Sequence, residues 1–109
     1  MINVPHKTRL YRSEAWFVFE DGPDTIALRC SRLSARQDLF INGQRYSSRQ
    51  SYGQFTRHIF MIGLDKFELN LNIENRQYLT ARLVKNDQTR ATQNLAPRWL
   101  LEKLNKRVG

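Results

Sequence analysis

The chain has 109 residues, 40% of them hydrophobic, which suits one domain around one core. Eighteen basic against ten acidic residues give a net charge of +8, which favours anionic partners such as nucleic acid or acidic proteins. No run approaches the roughly 20 apolar residues of a membrane-spanning helix. A single cysteine, Cys30, excludes a disulfide framework, and the N-terminal residues show no apolar leader. These features predict a cytoplasmic, single-domain protein without a membrane role.

The first predicted strands lie on either side of an Asp-Gly-Pro-Asp turn at residues 21–24. Residues 15–19 are apolar throughout, which predicts a strand covered on both sides. After the turn, Ile26, Leu28 and Cys30 alternate with Ala27, Arg29 and Ser31, the period of a half-buried strand.

Later strands are separated by further turn signals. Asn42-Gly43 stands between residues 38–41 and 44–47 and predicts a two-residue type I′ hairpin, because this dipeptide tolerates positive φ angles. Gly63 breaks residues 55–62 from the longest alternating run, residues 66–73. Asn86-Asp87 marks another reversal after residues 79–84.

Seven or eight short strands joined by tight turns predict a mostly β fold. We expect an antiparallel β-sandwich of sequential hairpins over residues 8–94, with a small barrel as the alternative, since both bury alternate residues.

The end of the chain has a different pattern. Pro97 suits the first turn of a helix, and residues 97–107 place apolar side chains three to four positions apart between basic ones. We predict one amphipathic C-terminal helix. Its apolar side chains either pack on the sandwich or contact a protein partner or a second copy, and they are Trp99, Leu100, Leu101 and Leu104.

No pattern of catalytic residues is visible. His6, Cys30 and His58 are far apart in sequence, which argues against a metal site or a cysteine–histidine nucleophile. The chain has neither a phosphate-binding glycine loop nor a Gly-x-Ser-x-Gly elbow. We therefore predict no catalytic, cofactor or metal site, no small-molecule substrate, and a buried, hydrogen-bonded His58.

The basic charge supports an alternative function, the binding of nucleic acid or another polyanion. Arginine guanidinium groups can follow phosphates while aromatic rings stack on bases. The candidate residues for this surface are Arg29, Arg45, Arg49, Tyr78 and Arg82.

The order of landmarks between residues 15 and 90 resembles one repeat of the Fas apoptotic inhibitory molecule family. The landmarks are Trp16, Asp21-Gly22, Ile26-x-Leu28, residues 38–44 with Asn42-Gly43, His58-x-Phe60-x-Ile62-Gly63, and Leu79 to Val84. The resemblance implies an eight-stranded sandwich of two antiparallel sheets without catalytic residues. It also implies protein binding, since family members are linked to death-receptor signalling and to protection against protein aggregation.

The chain departs from that family in carrying a single repeat, a strongly basic charge and the segment after Pro97. We therefore adopt the family's fold but not its pathway. The leading hypothesis is a non-enzymatic binding module with a protein partner or a second copy of itself, and polyanion binding is the alternative.

Overall fold

A computed structural model describes residues 4–74 and 78–96 of the chain. In these two ranges there are nine β-strands and no helix, so nothing helical there is long and apolar enough to cross a membrane. The first sheet contains β1 (Arg9–Leu10), β2 (Glu14–Asp21), β3 (Asp24–Ser31), β4 (Arg36–Ile41) and β5 (Gln44–Gln50). The second contains β6 (Phe55–Ile62), β7 (Asp65–Glu74), β8 (Tyr78–Lys85) and β9 (Gln88–Leu95).

All strands are antiparallel, and their order in each sheet follows the chain, which confirms a mostly β fold of sequential hairpins. The prediction of seven or eight strands was too low. One reason is β1, whose two residues pair with Trp16 and Ala15. So short a strand shows no period-two pattern, and the sequence therefore does not predict it. The helix predicted over residues 97–107, with Trp99, Leu100, Leu101 and Leu104, lies outside the described residues.

The two sheets enclose one main core. The alternating face of β7 enters it, as predicted, and so does the face of β3 that carries Cys30. Its largest fully buried apolar side chains are Phe17, Ile26, Leu28 and Leu39 from the first sheet and Phe60, Phe67, Leu69, Leu71 and Leu83 from the second. The domain is thus a sandwich of two packed sheets.

Strand β2 is buried on both faces, as its unbroken apolar sequence predicts. Its outward side chains, Trp16 and Val18, form a second cluster with Ala27 and Phe40. The Trp16 and Phe40 ring centroids are 5.3 Å apart, and the partly buried Val4 and Tyr11 pack against the cluster. The first sheet therefore buries apolar residues on its outer face as well.

The two lateral edges of the sandwich differ. On one side β9 lies beside β2, where Gln93 Nε2 donates to the Val18 carbonyl oxygen at 2.9 Å. On the other side β5 meets β6, where the Tyr46 and Phe60 ring centroids are 6.0 Å apart. Strand β6 is an edge strand of the second sheet, since it pairs only with β7 among the described strands.

Candidate interaction surface

Strand β6 alternates between buried and exposed side chains along its whole length. Thr56, His58 and Phe60 are at most 3% exposed, whereas Phe55, Ile59 and Met61 are 53–54% exposed. Because successive side chains of a strand point to opposite faces, the exposed set lies on the outer face of the second sheet. We call Phe55, Ile59 and Met61 the β6 apolar stripe.

The buried half of β6 is fixed by a polar network between the sheets. Gln37 of β4 donates from Nε2 to Thr56 Oγ1 at 3.1 Å, so its Oε1 is the acceptor for His58 Nε2 at 2.7 Å. Thr56 Oγ1 in turn donates to Ser51 Oγ at 3.0 Å. The predicted buried, hydrogen-bonded His58 is confirmed, and the network holds the orientation of β6.

The titratable groups of this network stay neutral near pH 7. Burial, aided by the positive charge of Arg49, lowers the pKa of His58 to about 4. Cys30 is paired in register with Gln37, and burial, with a smaller effect of Asp38, raises the pKa of its thiol to about 12. A protonated thiol is a weak nucleophile. Neither group is poised for nucleophilic or acid–base chemistry at neutral pH.

Cross-strand register places a polar row on the same face as the apolar stripe, which it crosses at Arg57, between Phe55 and Ile59. Arg57 of β6 is opposite Asn70 of β7, and Asn70 is opposite Arg82 of β8. We call Arg57, Asn70 and Arg82 the arginine row. Neighbouring strands are about 4.8 Å apart, so the two arginine Cα atoms flank Asn70 at a separation of about 10 Å.

The arginine row is only partly neutralised. Arg57 lies 3.8 Å from Glu68, a carboxylate that also lies 3.8 Å from Lys66. Among the ion pairs of residues 4–74 and 78–96, none involves Arg82. Asn70 is 5% exposed, and its buried Oδ1 has no hydrogen-bond partner. The row thus combines two guanidinium groups with an unsatisfied acceptor.

The five arginine and tyrosine residues predicted to bind polyanions do not form one surface. Tyr78 and Arg82 share the outer face of β8, since they are four residues apart on one strand. Arg29 lies on the first sheet, where its Nε donates to Asp38 Oδ2 at 3.0 Å. Arg45 stacks over the Phe40 ring of the same sheet, and Arg49 donates to the Arg57 carbonyl oxygen at 3.1 Å. Only Tyr78 and Arg82 share the outer face of the second sheet with the β6 apolar stripe.

The sequence reasoning missed the β6 apolar stripe for a physical reason. Ile59 and Met61 oppose Phe60 and Ile62, so both faces of the strand carry apolar residues and hydropathy does not choose between them. The buried face is the one with His58, whose partner Gln37 is 21 residues away. The contact between His58 and Gln37 therefore determines which face of β6 is buried, and the local sequence pattern does not indicate it.

Comparison with known proteins adds no family to this description. No family model, curated protein or solved structure that was compared with the chain matches it. The resemblance to the Fas apoptotic inhibitory molecule family thus stays an interpretation of the order of landmarks. The chemistry of the surface rests on its own residues.

Proposed function

We propose that this chain is a non-catalytic binding module that docks a protein partner on the outer face of β6. The observation that carries the proposal is the distribution of exposed apolar residues. Of the seven large hydrophobic side chains that are exposed in the described residues, six lie between residues 46 and 64. Three of them, Phe55, Ile59 and Met61, lie on the same face of one strand, with Arg57 between Phe55 and Ile59. Contiguous exposed apolar residues with a polar rim are typical of interaction sites.

The buried side chains of β6 fix the position of the stripe. Each exposed side chain alternates with one that is buried in the core or in the Gln37–His58–Thr56 network. A rigid face loses little conformational entropy when a partner binds, which favours affinity. The family resemblance, which implies protein binding, points in the same direction.

Polyanion binding is the second candidate, and one observation favours it. Arg57, Tyr78 and Arg82 lie on the outer face of the second sheet in a chain of net charge +8. Such a face would attract phosphates, and its affinity would fall steeply with salt. Of the β6 apolar stripe, however, only Phe55 offers an aromatic ring for base stacking, so the stripe itself favours a protein.

Differential capture tests the leading proposal. The immobilised full-length chain would be compared with an Ile59→Ser/Met61→Ser variant, and bound proteins would be identified by mass spectrometry. Because both side chains are half-exposed, we expect the variant to keep its unfolding midpoint while losing a defined set of captured proteins.

The matched control is Leu33→Ser, a substitution at an 85% exposed leucine on the turn between β3 and β4. Proteins retained by this control and lost from the double variant are the expected result. If the two variants capture the same proteins as the original chain, the stripe is not a docking surface and the proposal is wrong.

A further inference from the structure

The arginine row has a chemistry of its own that the apolar stripe does not explain. Two guanidinium groups flank Asn70 on the outer face of the second sheet, and both can donate to an anionic group placed between them. Arg57 of the row lies two residues along β6 from Ile59 and on the same face, within reach of whatever covers the stripe.

Resting on the proposed docking function, we propose that the arginine row recognises an acidic, extended peptide segment of the partner. A partner carboxylate lies between Arg57 and Arg82 and accepts hydrogen bonds from both guanidinium groups. The apolar side chains of the same segment cover Phe55, Ile59 and Met61.

A peptide fits this combination better than the alternatives. Arginine binds carboxylates through two parallel hydrogen bonds, which gives both strength and orientation. A phosphodiester backbone has no apolar group to cover the exposed Ile59 and Met61, whereas a peptide supplies carboxylates and apolar side chains together. A second copy of this chain would bring another net charge of +8 against the row. Charge complementarity therefore selects an acidic partner.

The test uses two fluorescein-labelled peptides of nine residues, one alternating Glu with Val and the other alternating Gln with Val. Fluorescence anisotropy with the full-length chain at near-physiological salt gives the two affinities. We expect the Glu peptide to bind about tenfold more tightly than the Gln peptide, the size expected of one charge-assisted contact. Equal affinities would overturn the proposal.

Substitutions in the row separate it from the general positive charge. Arg57→Gln/Arg82→Gln should remove the preference for the Glu peptide, whereas Arg12→Gln/Arg32→Gln removes the same charge from two turns of the first sheet and should leave the preference intact. Asn70→Asp supplies a carboxylate from within the row and should also abolish the preference. A similar loss in the Arg12/Arg32 control would show a nonspecific charge effect and overturn the proposal.

Nuclear magnetic resonance locates the contact directly. The side-chain amide signals of Asn70 should shift on addition of the Glu peptide and not of the Gln peptide. If a single-stranded oligonucleotide displaces the Glu peptide and shifts these signals at a lower concentration than the peptide does, the row binds phosphate and the proposal fails.

The docking function and this inference fail separately. If Ile59→Ser/Met61→Ser leaves the affinity of the Glu peptide unchanged while Arg57→Gln/Arg82→Gln abolishes its preference, the row holds and the stripe is not a docking surface. If the capture experiment identifies partners of the stripe but both peptides bind equally, docking holds and the acidic specificity does not.

Discussion

The imidazole Nε2 of His58 donates to Gln37 Oε1 at 2.7 Å, and this bond joins the second sheet to the first. Both side chains are nearly inaccessible to solvent, and Gln37 continues the network to Thr56. The bond requires a proton on Nε2, which a neutral histidine supplies in one of its two tautomers. The sheets are therefore linked by a group whose charged form is disfavoured in the folded protein.

This bond predicts a loss of stability in mild acid. The pKa of His58 is about 4 in the folded state, against about 6.5 in an unfolded chain. Above pH 6.5 both states are neutral and stability does not depend on this group. Between pH 6.5 and pH 4 only the unfolded state takes up the proton, so stability falls by up to about 3 kcal/mol.

Urea unfolding at pH 7 and pH 5 measures the effect, and His58→Gln is the variant to compare. Glutamine keeps a donor near the Nε2 position but cannot titrate. We expect the original chain to lose about 1–2 kcal/mol between the two pH values and the variant to lose clearly less. The exposed His6 is present in both proteins, so equal losses would mean that His58 does not control the transition.

From the Arg29–Asp38 pair we predict that Arg29 contributes to stability rather than to binding. Asp38 is 2% exposed and accepts from both Arg29 and Arg36. Burial raises the pKa of Asp38, but hydrogen bonds from Ser48 and Arg29 outweigh it and the pKa stays below its usual value. Arg29→Gln should therefore lower the unfolding free energy by about 1–3 kcal/mol, because the buried carboxylate loses a partner.

The same variant should leave oligonucleotide affinity unchanged in an anisotropy titration. Arg82→Gln is the matched comparison, since it removes one charge from an exposed position. A stronger fall in oligonucleotide affinity for Arg29→Gln than for Arg82→Gln would restore Arg29 as a binding residue.

The ionic contacts of Asp21 predict a second pH dependence of stability, at lower pH than that of His58. Its carboxylate accepts from Lys85 Nζ at 2.8 Å and from Arg90 Nε at 3.0 Å, which ties β2 to the last hairpin of the second sheet. These hydrogen bonds hold the pKa of Asp21 below its usual value despite burial. The stabilisation is present above the unfolded pKa of about 3.9 and is lost as the pH falls through the folded value.

Asp21→Asn should therefore lower stability at pH 7, by about 1 kcal/mol because the cationic partners are partly exposed, and should flatten the loss below pH 4. Thermal unfolding at pH 7 and pH 3 provides the measurement. Glu20→Gln, an exposed neighbour on the same strand, is the control and should behave like the original chain. A variant as stable as this control at pH 7 would contradict the prediction.

Two hairpin loops of the same length predict opposite effects on stability for two reciprocal substitutions, one that introduces glycine and one that removes it. The loop between β4 and β5 is Asn42-Gly43, with φ of 51° and 83°, and the loop between β8 and β9 is Asn86-Asp87, with φ of 49° and 66°. The second loop position thus favours glycine in both, but only one loop has it. Asp87→Gly should raise the unfolding free energy by about 0.5 kcal/mol.

The reciprocal change, Gly43→Asp, should lower the unfolding free energy by about 1 kcal/mol. A Cβ added at Gly43 meets no atom within 4 Å, so the cost comes from the backbone conformation and not from a clash. Chemical denaturation of both variants checks the pair. Changes of the same sign would mean that φ does not govern these turns.

Patterns between neighbouring residues were sufficient to predict several elements of the fold. Alternation in β7, the unbroken apolar run of β2 and the Asn42-Gly43 turn are all interpretable because each depends on neighbours in sequence. The orientation of β6 depends instead on His58 meeting Gln37 across the sandwich. The neutralisation of Arg29 likewise depends on its register partner Asp38. Register and sheet packing place these partners, and neither can be read from periodicity.

Because strand order in each sheet follows the chain, a single cut in the chain would separate the two sheets. Among the nine described strands, only the connection over residues 51–54 leads from the first sheet to the second. A cut there would leave two pieces, each with every strand of one complete sheet, joined by packing and by bonds such as His58–Gln37 and Lys85–Asp21. The two halves should therefore complement each other as separate chains, which makes this fold suited to a split reporter.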